Sequence, residues 1–156
     1  KNLLGASHEV SIKSLNEFDV PLYSPDLQIA SGLPTNVINF IHDMSSSDGI
    51  VFAVPEYNYS IPGAFKNLID WVSRYQPNPW RQKKILLISA SPSVVGGNRG
   101  LWATRIPLEG CGAYVFPDMF SLSESYKNID AEGHMQDQAN STKLQTLLND
   151  FCVFCK

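Results

Sequence analysis

The chain reads as an α/β protein, a parallel sheet with helices on both faces, and three observations predict it. Strand-like and helix-like apolar patterns alternate along the 156 residues, the order that implies parallel strands joined by crossover helices. Segment 83–91, Lys-Lys-Ile-Leu-Leu-Ile-Ser-Ala-Ser, is a continuous apolar run ending in small polar residues, as a central strand covered on both faces should be. Segment 49–73 passes abruptly from a short apolar strand, through turn-forming residues, into helical spacing. Joints of that kind lie beyond the carboxyl ends of the strands, where open α/β sheets bind ligands.

Each element has its own warrant. Residues 1–4 read as a helix end with Gly5 as its stop. Residues 9–15 alternate as a half-buried edge strand should. A long loop containing Pro21, Pro25 and Gly32 follows. Pro34 is suited to open a helix over 35–44, with Val37, Ile38 and Ile41 on one face. The strand 49–54 leads through the turn-rich joint to a helix over roughly 63–74. There Phe65, Leu68, Ile69 and Val72 recur at three- and four-residue spacing and should pack on the sheet. After the strand 83–91 comes the loop 91–98 and a helix over about 99–109, in which Pro107 should cause a kink or start the last turn. Residues 113–116 form a short last strand. The polar stretch 121–138 reads as an excursion, and 140–151 as a closing amphipathic helix.

Composition narrows the function classes. Apolar content of 44% and charged content of 17% describe a folded chain and exclude disorder, and the length suits a single domain over 1–156. The net charge of −3 and the absence of any basic run give no nucleic-acid footprint. Apolar runs such as 85–88 are too short to span a bilayer, and no charged-then-apolar leader opens the chain. These features favour a cytoplasmic address with no membrane partner. His8, His42 and His134 lack ligand spacing, so no metal is expected. Ser91 has no Gly-x-Ser-x-Gly elbow, which argues against hydrolysis. Three cysteines make no disulfide framework. Cys152 and Cys155 have the spacing of a redox pair, but read more simply as free thiols on the last turn of a helix that Val153 and Phe154 dock.

The joint Pro55-Glu-Tyr-Asn-Tyr-Ser-Ile-Pro-Gly-Ala-Phe-Lys-Asn-Leu-Ile-Asp-Trp-Val-Ser73 resembles the signature of the NADPH-dependent FMN reductases, a flavodoxin-like family that includes quinone, chromate and azo-dye reductases. The resemblance covers nearly the whole chain. It implies that Pro55, Glu56, Tyr57 and Asn58 lie against an FMN ring, holding it through backbone groups that add no titrating charge. The helix start at Pro62 and Gly63 would add positive partial charge. An ordinary strand–helix turn is the alternative, since Pro, Asn and Gly populate turns. Ser91, Pro92, Gly96 and Gly97 match the family's second flavin loop, where glycine permits close approach and positive φ. Arg99 is suited to flavin, nicotinamide phosphate, a neighbouring subunit or plain solvent. Lys66, Asn67, Asp70 and Trp71 complete the match, with Lys66 and Asp70 spaced for a surface ion pair.

By this resemblance the fold is a three-layer α/β/α sandwich with sheet order 2-1-3-4-5. The chain opens where the first helix should end, so the central first strand and the phosphate loop, roughly 20–30 residues by ordinary element lengths, are expected to be missing from it. The implied activity is ping-pong hydride transfer from NADPH or NADH, through FMN, to a small-molecule acceptor such as a quinone or flavin. A non-enzymatic flavodoxin-like electron carrier or flavin-binding interaction protein is the alternative. Family members form homodimers or homotetramers. Trp71 and Trp80, flanking a loop that reads as exposed, suggest that this loop lies at such an interface.

Overall fold

A computed structural model of the chain describes residues 3–4 and 8–156; the expected stop at Gly5 lies outside them. Helix α1 (Pro25–Ser31) and helix α2 (Thr35–Ser45) precede strand β1 (Gly49–Ala53). Helix α3 (Gly63–Val72), strand β2 (Lys84–Ala90) and helix α4 (Asn98–Gly110) follow. Strands β3 (Tyr114–Val115) and β4 (Phe120–Leu122), the short helix α5 (Ser125–Asn128) and helix α6 (Gln138–Phe154) complete the order. All pairings in the sheet are parallel. β1 lies along one edge of β2, with Gly49 opposite Lys84 and Ala53 opposite Ile88. On the other edge β3 pairs with the start of β2 and β4 with its end.

The two-residue period of β2 divides its side chains between two cores. Ile85 and Leu87 point into a cluster built with Val37 and Phe40 of α2, Phe65 and Leu68 of α3, and Leu101 and Leu108 of α4. Leu86 and Ile88 point the other way, to Leu147, Leu148 and Phe151 of α6. The preceding residues continue the alternation. Lys83 Nζ donates to the carbonyls of Met44 (2.6 Å) and Ser47 (2.7 Å), closing the end of α2. Lys84 Nζ donates to the Cys155 carbonyl (2.7 Å) at the end of α6, across the sheet. Helix ends leave carbonyls short of partners, and two adjacent lysines supply donors on the two faces, two carbonyls on one and one on the other.

Several expectations are corrected. Residues 9–15 form no strand; no neighbouring strand lies within the described residues, and an extended segment without a ladder leaves its backbone groups unpaired. Instead Ser14 and Glu17 make a reciprocal capping box that starts a 3-10 turn, Leu15–Phe18. On α2 the buried face is Val37, Phe40, Ile41 and Met44, while Ile38 is exposed. The excursion at 121–138 begins inside β4, which continues the sheet edge left by β3. Pro107 sits in the last turn of α4. Trp71 and Trp80 are fully buried and mark no partner surface. Burial of so much ring area is strongly favourable once the indole N–H finds an acceptor: Trp71 donates to Pro21 O (2.7 Å) and Trp80 to Ile69 O (3.4 Å).

At the C-terminus Phe154 packs edge-on to Phe116, with centroids 5.3 Å apart, whereas Val153 is exposed. All three cysteines are free, and burial pushes the Cys152 and Cys155 thiols up. A raised thiol pKa lowers the fraction present as the nucleophilic thiolate. No helix among the described residues is long and apolar enough to cross a membrane.

Candidate flavin site

The site lies at the carboxyl end of the sheet, where the ladder gives out. Its last bond on this edge is Val54 N–H to Ile88 O, 2.9 Å. Pro55 carries no donor to extend it. Tyr57 and Ser60 then exchange both backbone hydrogen bonds, at 3.1 and 3.0 Å. This tight turn puts Asn58 at φ 49° and Tyr59 at φ 64°. Both central residues are left-handed, as a type I′ turn requires. Asn tolerates that region; Tyr does so at a cost. The Tyr57 amide is therefore spent inside the turn. The amides of Glu56 and Asn58 make no hydrogen bond among the described residues. The chain then enters α3, whose N-terminus at Pro62 has no side-chain cap.

The second loop leaves β2 at Ser89 and Ala90. Ser91 N–H donates to Leu122 O (3.0 Å), and Ser91 O accepts from Ser125 N–H (3.0 Å), so the loop is tied to the end of β4. Ser91 Oγ accepts from the Ser93 N–H at 3.2 Å. Pro92 is exposed at the loop's outer side. Gly96 and Gly97 have φ of 62° and 85°. A Cβ on Gly96 would lie 2.8 Å from the Leu122 carbonyl carbon, and one on Gly97 would overlap Ser89 Oγ. These glycines let the loop lie flat on the chain's own strands. Beneath it Ser89 Oγ is buried with no partner among the described residues.

Glu56 joins the two loops. Its side chain is only 9% exposed and turns to the start of α4. Oε1 accepts from Arg99 Nη2 (2.7 Å) and Nε (2.9 Å), and Oε2 accepts from the Gly100 N–H (3.1 Å). Burial pushes this carboxyl up, but the Arg99 guanidinium and the backbone N–H groups of Gly100 and Arg99 outweigh it and hold it below the usual carboxylate range. Arg99 also lies over the Tyr59 ring, 4.2 Å from its centroid, a cation–π contact. Gly100 makes the approach possible, because a Cβ there would sit 3.0 Å from Glu56 Cα.

Pro55, Glu56, Tyr57 and Asn58 are thus gathered at one end of the sheet with Ser91, Pro92, Gly96 and Gly97. Sequence reasoning placed Tyr59 and Ser89 within the matched runs without giving either a role, and did not single out Gly100. The spacing of Gly97 and Gly100 at a helix start was the available signal for close backbone approach. The other signature residues serve the scaffold. Lys66 pairs with Asp70 at 2.7 Å, and Asn67 fastens the 19–24 loop through Tyr23 N–H and Pro21 O.

An isoalloxazine ring asks for a flat approach and for backbone hydrogen bonds along one edge. The uncommitted Glu56 and Asn58 amides, the uncapped start of α3 and the glycine-floored second loop fit that demand. The carboxylate on these loops, Glu56, is already held by α4.

Comparison with known proteins agrees. The sequence model described as NADPH-dependent FMN reductase matches residues 1–127. A quinone reductase of Escherichia coli is 43% identical over 138 residues, covering 87% of this chain and 73% of the relative. An NAD(P)H-dependent FMN reductase of Pseudomonas aeruginosa is 32% identical over 146 residues, covering 89% and 75%. The solved structure of FerB, a flavoenzyme NAD(P)H:(acceptor) oxidoreductase from Paracoccus denitrificans, superposes with a TM-score of 0.81 at 26% identity, covering 99% of this chain and 84% of that one.

Proposed function

This chain belongs to the NADPH-dependent FMN reductase family, and from that premise we propose that it is an FMN-dependent NAD(P)H oxidoreductase that reduces quinones or similar small acceptors by a ping-pong reaction. The observation that carries the reading is the Tyr57–Ser60 turn, which leaves the Glu56 and Asn58 amides unspent at the carboxyl end of the sheet. Pro55, Glu56, Tyr57 and Asn58 on one loop, and Ser91, Pro92, Gly96 and Gly97 on the other, would hold the ring. When bound, FMN supplies hydride acceptance and two-electron donation, so no protein acid or base is needed.

The chain's own work is positioning. Its backbone amides bind without a charge that varies with pH, and the uncapped start of α3 favours negative charge nearby. Tyr57, Asn58 and Val94 are exposed, so the loops leave an open side for nicotinamide and acceptor to use in turn. We also take residues 1–156 as one flavin-binding domain, since a single sheet separates the two cores. A cytoplasmic address suits three free cysteines.

We expect a homodimer or homotetramer, now through α4 instead of the tryptophan loop. Trp102 (55% exposed) and Ile106 (73% exposed) lie one turn apart on its outer face. Large apolar side chains left in water mark partner surfaces. A clean monomer in sedimentation at micromolar concentration would remove that expectation.

Steady-state kinetics test the function. FMN-loaded protein should consume NADPH continuously with 1,4-benzoquinone present and very slowly without it. A protein that retains FMN yet shows no acceptor-dependent NADPH or NADH consumption would be an electron carrier instead.

A further inference from the structure

Beyond Val54, the segment 55–61 has no backbone hydrogen bond to the rest of the described chain. Its own turn bonds are internal, and the hydrogen bonds that fasten it elsewhere are those accepted by the Glu56 carboxylate. We propose that Glu56 is a positioning residue: with Arg99 it latches the first loop onto the start of α4, and the latch presents the Glu56 and Asn58 amides to the cofactor. The inference rests on the flavin-binding reading above and adds a residue-level requirement to it.

Three features make the carboxylate suited to this work. It sits where a helix N-terminus offers unpaired N–H groups and a favourable dipole, so an anion there is stabilised. It accepts two hydrogen bonds from one guanidinium, through Nε and Nη2, a geometry that fixes direction as well as distance. The same guanidinium then lies on Tyr59, which follows Asn58 in the left-handed pair. Glu56, Arg99 and Tyr59 therefore hold the strained turn at its base and at its tip. Glutamine keeps an oxygen for the Gly100 N–H but loses the ion pair. Alanine loses both. Among the described residues Arg99 is the charged side chain in contact with Glu56, so acid should act on the latch through Glu56 itself.

The test uses FMN fluorescence titration of the purified protein and of Glu56→Gln, Glu56→Ala, Arg99→Met and the Glu56→Ala/Arg99→Met double variant. The latch predicts that Glu56→Ala weakens FMN by at least about tenfold, the scale of lost charge-assisted hydrogen bonds, and that Glu56→Gln recovers part of the loss. The double variant should be no worse than the poorer single variant, because both remove one device. Wild-type affinity should hold through the usual carboxylate range and fall only on its acid side, as a carboxylate with a lowered pKa is protonated; in Glu56→Gln that acid-side fall should be absent. Variants that bind FMN like wild type, or single losses that add in the double variant, would overturn the latch. If wild type binds no FMN, the flavin reading fails, and the latch is tested alone by hydrogen exchange in the free protein. Glu56→Ala should then speed exchange of the Ser60 and Gly100 amides, and unchanged exchange would overturn the latch too.

Discussion

The two ends of the sheet follow opposite policies toward their backbone groups. At the amino end, Lys83 and Lys84 satisfy helix carbonyls on both faces, and Gly49 lies so close to Phe151 and Cys155 that a Cβ would not fit. At the carboxyl end, the Glu56 and Asn58 amides go unspent in a turn where Asn58 and Tyr59 take positive φ, whereas the positive-φ residues of the amino end, Gln82 and Gly112, are joined by a backbone hydrogen bond of 2.8 Å. A fold gains nothing from unpaired donors unless something else uses them. The difference separates the part of the molecule that holds the fold from the part we propose to meet the flavin.

Substitutions should divide along that line. Trp80→Ala should cost the most stability, about 3–5 kcal/mol, because a fully buried ring packed against Phe40 and Phe52 leaves a cavity. Its melting temperature should fall steeply. If it melted like wild type, the aromatic core would be misplaced. Asn58→Pro should weigh the other way, with a smaller fall in melting than Trp80→Ala and a loss of roughly hundredfold in FMN affinity. Proline cannot reach φ 49° and removes an amide, an effect of about 3 kcal/mol. Equal losses of stability and affinity would erase the distinction between the two ends.

Lys83→Met sharpens the comparison at the amino end. It leaves the Ser47 carbonyl without the Lys83 donor and the Met44 carbonyl with backbone donors alone, and should cost about 1 kcal/mol by urea unfolding, with FMN affinity unchanged. Lys66→Met should do least. Its pair with Asp70 is substantially exposed on both sides, and such helix pairs contribute about 0.5 kcal/mol or less. A larger loss would mean that the signature helix does more than scaffold work.

What was legible in the sequence followed the same boundary. The strand 83–91 and the helix 63–74 were readable because long runs state their period: Ile85 and Leu87 face one core, Leu86 the other, and Phe65, Leu68, Ile69 and Val72 are all buried. Residues 9–15 misled because alternation describes a strand's faces and says nothing about whether a neighbour exists to pair with it. Strand β4 was missed because three residues are too few to show a period. Trp71 and Trp80 were misjudged from their loop and helix-end setting, since no sequence pattern announces that Pro21 O and Ile69 O will receive their N–H groups. At the site, the loop residues were legible by type, but the Glu56–Arg99 pair joins positions forty-three apart, and only the fold brings them together.

The central claim is that this chain positions a flavin with backbone groups and contributes no titrating group to the chemistry. Stopped-flow mixing of FMN-loaded protein with NADPH, repeated between about pH 6 and pH 8, tests it most directly. Glu56 is held below the usual carboxylate range, so it stays ionised and paired throughout that window. The rate of flavin bleaching should therefore be nearly flat with pH. A steep pH dependence in the wild type that vanishes in Glu56→Gln would contradict the account, because the carboxylate would then be taking part in the reaction.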